Sequence, residues 1–130
     1  MPMLPRPRLH PALLLAALLL PHGLRAPAEA AETAPQLIGR LGKVAYYLVP
    51  EAQARERSWY DQAIPAVCGD QESCFVRFYT NSQGVAPGLP LPEAIEREPT
   101  VMFQRSAKHG AQLFRWSCRL QVANNPSECF

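Results

Sequence analysis

The sequence predicts a small, single-domain α+β fold, stabilised by disulfides and built on one mixed sheet, and three observations point to it. A strand-like run from Lys43 to Val49 leads into an 18-residue amphipathic segment, Glu51 to Cys68, and then into a second strand-like run, Ser73 to Thr80. Four cysteines, Cys68, Cys74, Cys118 and Cys129, all lie in the second half of the chain. The first thirty residues have the layout of a secretory signal peptide, which places those cysteines in an oxidising compartment.

The leader is read from its parts. Arg6 and Arg8 make a basic start without an acid, and Ala12 to Leu20 is an unbroken run of Ala and Leu. Nine residues fall well short of the roughly 20 that span a bilayer. Pro21 and Gly23 break the run, and Ala26-Pro27-Ala28 and Ala28-Glu29-Ala30 supply small-residue cleavage sites. The expected organisation is a cleaved signal peptide over 1–30, a flexible arm over 31–42 and the disulfide-containing domain over 43–130. The absence of a cysteine at the cleavage point and of paired arginines points to the general secretory route rather than to the lipoprotein or twin-arginine routes. The Ala, Arg, Leu and Pro content of the leader suggests a bacterial source, hence a periplasmic or secreted protein with no membrane anchor after cleavage.

Loss of the leader also changes the charge. Three of the thirteen basic residues (Arg6, Arg8, Arg25) and one of the eleven acids (Glu29) precede residue 31, leaving ten of each. A neutral domain gives no electrostatic basis for binding nucleic acid. One hundred residues make one small core, for which covalent bracing is the usual supplement. The short separations favour the sequential pairing, Cys68 with Cys74 and Cys118 with Cys129.

The elements follow in order. Pro35, Gly39 and Gly42 mark residues 31–42 as the arm. Lys43 to Val49 is apolar on both alternations and reads as an internal strand covered on two faces, ended by Pro50. Glu51 to Cys68 places Ala52, Glu56, Trp59, Ala63 and Val67 near one helical face; Gly69 suits the cap, and Pro65 should kink the helix near Asp61 or end it early. Ser73 to Thr80 alternates, so strand, helix and strand form a crossover unit with parallel strands.

Three prolines and two glycines make Asn81 to Pro92 a surface loop. Pro92 and Glu93 open a short helix that Pro99 closes. Thr100 to Ser106 and Ala111 to Val122 read as a β-hairpin turning at residues 107–110, with Gly110 in a left-handed conformation. A competing reading makes Pro92 to Lys108 one kinked helix. In the last strand Phe114, Trp116, Cys118, Leu120 and Val122 share a face, so Trp116 and Trp59 are expected in one core.

Catalytic signatures are weak throughout. His109, the only histidine beyond the leader, sits in a turn, and paired cysteines leave no thiolate for it to activate. Cysteine spacings of five and ten intervening residues do not fit a zinc ribbon. The carboxylate pairs Glu93 with Glu96 and Asp70 with Glu72 lie in segments read as solvated, and no serine has a nucleophile-elbow context. Phe75-Val76-Arg77-Phe78-Tyr79 resembles the end of the RNA-recognition strand signature, but the glycines of that signature are replaced by Gln71 to Cys74 and the domain is neutral and exported.

What remains is a pattern of arginine interleaved with aromatics. Arg77, Tyr79, Arg115 and Arg119, placed on one sheet face by strand alternation, are the candidate protein-binding face. The expected function is that of a non-enzymatic periplasmic or secreted binding or accessory protein without cofactor or metal, with a protein partner. The alternatives are an inhibitor or immunity-type protein acting on another exported protein, and a small carboxylate-dependent hydrolase.

Overall fold

The computed structural model describes residues 33–121 and 126–130, together with Met3 and Gly23. The leader and its cleavage sites otherwise lie outside the described residues. A five-stranded sheet runs in the order β1 (Gln36–Leu41), β2 (Val44–Leu48), β3 (Cys74–Tyr79), β4 (Pro99–Arg105), β5 (Gln112–Trp116). Helix α1 (Arg57–Cys68) bridges β2 and β3, which pair in parallel; every other neighbouring pair is antiparallel. The sheet is mixed and the crossover unit is present. The two disulfides are sequential, Cys68–Cys74 and Cys118–Cys129.

The expected arm over 31–42 is corrected, because Gln36–Leu41 forms the edge strand β1. Leu41 pairs with Val44 across the two-residue connection Gly42-Lys43, and Gly42 has φ of 59°. That conformation favours glycine, and it is what a tight hairpin needs. Gly39 is there for a different reason. A Cβ at this position would stand 2.8 Å from Leu89 Cδ1, so the missing side chain makes room for the loop packed on it. Two glycines that read as flexibility are a turn and a close approach.

Helix α1 starts six residues later than the sequence suggests. Glu51–Gln53 is a 3-10 turn, and the Ala54 carbonyl accepts a 2.7 Å hydrogen bond from the Tyr60 hydroxyl in place of a helical amide. Pro65 lies within the last turn, yet the helix continues to Cys68. Gly69 then takes φ of 55° and donates its N–H to the Pro65 carbonyl at 2.9 Å. Beyond β3 the single-helix reading of Pro92 to Lys108 fails: α2 is only Glu93–Glu96, and β4 begins at Pro99.

The final strand is shorter than the alternation implied. It stops at Trp116; residues 118–120 form a turn, and Val122 lies outside the described residues. Cys129 returns to make a parallel bridge with Trp116, flanked by Phe130 N–H to Trp116 O at 3.1 Å and Cys118 N–H to Phe130 O at 2.8 Å. The chain must turn after Trp116 for the Cys118–Cys129 disulfide to close over eleven residues.

Helix α1 packs on one sheet face only. Ala45, Tyr47, Val76, Phe78, Val101 and Phe103 meet Trp59, Tyr60, Ala63, Ile64 and Cys68 in one core, against which Phe114 and Trp116 also pack. Tyr60 is the hub, edge-on to Trp59, Phe78, Phe114 and Trp116 at 5.0 to 5.9 Å between ring centroids. Trp59 and Trp116 therefore share the core that the alternation assigned them.

Candidate functional site

Alternation sends every second residue of each strand to the face away from α1. Register places Leu41, Val44, Phe75, Gln104 and Leu113 in one row across all five strands. Beside it runs a second row: Gly39, Tyr46, Arg77, Met102 and Arg115. The first row is apolar apart from Gln104, with no helix over it. Leu41 and Leu113 at its two ends are 66% and 42% exposed. Val44 and Phe75 are half-buried.

The far end of the same face is covered by the chain itself. After β3 the loop from Asn81 leads into α2, and the two ends of this excursion are clipped together. Glu98 accepts from the Thr80 hydroxyl at 2.9 Å, from Ser82 N–H at 2.9 Å and from the Ser82 hydroxyl, while Thr80 N–H donates to the Glu98 carbonyl at 3.0 Å. Burial alone would raise the Glu98 pKa, but these donors from Ser82 and Thr80, with Arg119 nearby, outweigh it and hold the carboxyl below its usual value. Asn81 braces the start of the loop through its amide, which both donates to Val85 O and accepts from Val85 N–H. Ile95, Tyr79 and Met102 are buried without belonging to the helix-side core.

Between the pinned loop and the sheet lies a cleft of about 570 Å³. Tyr46, Arg77 and Tyr79 form its floor; Leu89, Pro90 and Leu91 form its wall, with Leu41 and Glu96 at the rim. The Tyr46 and Tyr79 rings stack with centroids 6.3 Å apart and planes 23° from parallel. Burial raises the Tyr79 pKa, and the neighbouring Arg77 guanidinium pulls it partly back. The two ion pairs among the described residues, Arg57–Asp61 and Glu93–Arg97, involve neither Arg77 nor Glu96.

The structure therefore brings together three of the four arginine and tyrosine positions singled out in the sequence. Arg77, Tyr79 and Arg115 share the face away from α1, with Arg77 exposed, Tyr79 under the loop and Arg115 donating to the Ser127 carbonyl. Arg119 does not join them. Because β5 ends at Trp116, Arg119 lies in the following turn and braces the base of the loop, its Nε donating to Pro99 O at 3.2 Å and its Nη2 to the Thr80 hydroxyl at 3.3 Å. Strand alternation governs side-chain direction only as far as Trp116, where β5 ends.

Sequence reasoning missed Leu41, Tyr46, Leu89 and Leu91, and it singled out Glu96 only as a solvated carboxylate beside Glu93. A signal for Tyr46 was present, since Val44–Leu48 is apolar on both alternations and so bears apolar residues on the face away from α1 as well as on the core face; Leu41 lies in the segment read as an arm. Nothing local indicated where the proline-rich loop would fold. Elsewhere, His109 is exposed in the β4–β5 turn, Asp70 and Glu72 are exposed, and Glu93 is paired with Arg97. Among the described residues no group of histidine, cysteine and carboxylate side chains forms a metal cluster, and no helix is long and apolar enough to cross a membrane. No family model, curated protein or solved structure matches the chain.

Proposed function

We propose that this is an exported, non-enzymatic binding protein whose sheet face away from α1 docks a protein partner with an apolar, carboxylate-bearing contact surface. The observation carrying this reading is the row Leu41, Val44, Phe75 and Leu113 on the face away from α1, with Leu41 and Leu113 exposed at its two ends and Val44 and Phe75 half-buried between them. Arg77 and Arg115 stand in the adjacent row and give the face a cationic flank, which sets the charge of the complementary surface. Export rests on the leader pattern, and the two disulfides fit an oxidising compartment.

The test uses the full chain expressed with its leader and site-specific photocrosslinkers at Leu113, at Leu41 and, as the control on the helix side, at Gln62. One partner of defined size should crosslink from Leu113 and Leu41 only, and a charge-reversing Arg77→Glu, Arg115→Glu pair should abolish the crosslink. Equal yield from Gln62, or insensitivity to charge reversal, would refute the docking face. Intact mass of the exported protein tests the leader: a start between Ala26 and Glu32 is expected, and retention of residues 1–25 would overturn it.

A further inference from the structure

We propose that the cleft between the sheet and the proline-rich loop captures the C-terminal residue of a peptide, provided that residue is apolar. This rests on the binding-protein reading above and gives it a ligand class. The cleft is lined by three kinds of group: the Arg77 guanidinium from β3, the Glu96 carboxylate from α2, and leucine and proline side chains from the loop. A peptide C-terminus offers the matching groups in one residue.

The main-chain carboxylate suits Arg77, whose planar donor fork accepts a carboxylate in two parallel hydrogen bonds and which makes no ion pair among the described residues. Arg77 is on β3, the central strand, so its backbone is held on both sides, and the stacked Tyr46 and Tyr79 rings flank it. A few bonds from that carboxylate, the residue presents its amide N–H, for which Glu96 is an acceptor. The side chain then faces Leu89, Leu91 and the exposed Leu41.

Charge narrows the choice further. With Glu96 on the same cleft, a dianion such as a phosphate monoester meets a repulsive carboxylate as well as an attractive guanidinium, whereas a single carboxylate with a neighbouring N–H satisfies both. A bare ammonium group would satisfy Glu96 and oppose Arg77. The volume, about 570 Å³, lies within the range of ligand clefts, and its open side leaves a path for the peptide that precedes the captured residue.

The experiment is an amide NMR titration of the oxidised, exported protein with acetyl-Ala-Ala-Phe and with the same peptide carrying a C-terminal amide. The free-carboxylate peptide should shift Tyr46, Arg77, Leu89 and Leu91, and capping should weaken binding at least about tenfold. Arg77→Met keeps the stem and should remove the discrimination between the two peptides; Leu89→Ala should weaken both peptides alike; Glu96→Gln should weaken the free-carboxylate peptide less than Arg77→Met does. Equal affinity for the two peptides, shifts centred on Phe75 and Leu113, or no binding at about 10 mM would each overturn the proposal. Leu113→Lys separates the two readings, because it should disrupt the partner crosslink and leave the peptide affinity unchanged; a crosslinked partner with no peptide binding refutes the cleft alone.

Discussion

The two faces of the sheet are made from the same strands, and they are finished in opposite ways. On the α1 face the strands contribute aromatic and branched residues that interlock around Tyr60, whose ring is buried and whose hydroxyl has a carbonyl partner. On the other face the same alternation delivers Leu41, Val44, Phe75, Met102 and Leu113, and only the Tyr79 end receives a cover, from the proline-rich loop and the single turn of α2. A closed aromatic core is a stability element. An apolar face half covered by a pinned loop leaves apolar surface available for binding, and substitutions should separate the two.

The largest effect is expected on the closed face. Truncating Phe78 or Trp59 to Ala removes a ring from the cluster and should cost about 3 to 5 kcal/mol in denaturant melts. If either variant lost less than about 1 kcal/mol, the core would be looser than its edge-to-face contacts imply. Next come the disulfides. Closing loops of six and eleven residues should contribute about 2 to 3 kcal/mol each by the chain-entropy estimate, with Cys118–Cys129 slightly ahead. Paired Cys→Ala variants measured by urea unfolding test the size and the order.

A pH experiment addresses the hub directly. Burial pushes the Tyr60 pKa from 10.0 to about 12, outweighing the opposing effects of Thr100 and Arg119. The folded state therefore holds the phenolic proton more tightly than the unfolded chain. The associated stability is complete below pH 10, is lost as pH rises from about 10 to about 12, and amounts to the order of 2 to 3 kcal/mol. Tyr60→Phe should lower stability near neutrality, since the Ala54 carbonyl loses its donor, while flattening this alkaline decline. An unchanged decline in Tyr60→Phe would assign it to another group.

The smallest effects belong to exposed positions on the face away from α1. Arg77→Ala and Leu113→Ala should stay within about 0.5 kcal/mol of the parent in thermal melts, because both side chains are exposed and lie outside the core. A larger loss at Leu113 would mean that the bare row is a structural cover and not a docking surface.

How far the sequence could be read depended on the range of the interactions. The crossover unit, both disulfide pairings and the shared tryptophan core were legible, because period and spacing carry them locally. The edge strand was not. Gly39 and Gly42 suggested mobility, whereas one is required by Leu89, fifty residues away, and the other by the hairpin turn. Arg119 was misplaced for a related reason: alternation holds only while the strand lasts, and the Cys118–Cys129 closure ends it. In the candidate site Arg77 and Tyr79 could be named from their strand, but Leu89, Leu91 and Glu96 enter only through the clip that Glu98 makes with Thr80 and Ser82.

The bridge between Trp116 and Cys129 also gives the sheet a growth polarity. At the Trp116 end of the β5 border the returning C-terminal segment already occupies the hydrogen-bonding positions beside Trp116 and Cys118 and is bolted there by a disulfide, so an incoming strand would have to displace it to pair along the full length of β5. The β1 border has no such occupant among the described residues and relies on irregularity, with a register shift between Leu37 and Gly39 and a charge at Arg40. Elongation by strand addition is thus opposed by occupancy at the Trp116 end of one border and by misfit at the other. A reducing agent would weaken only the first of these two barriers.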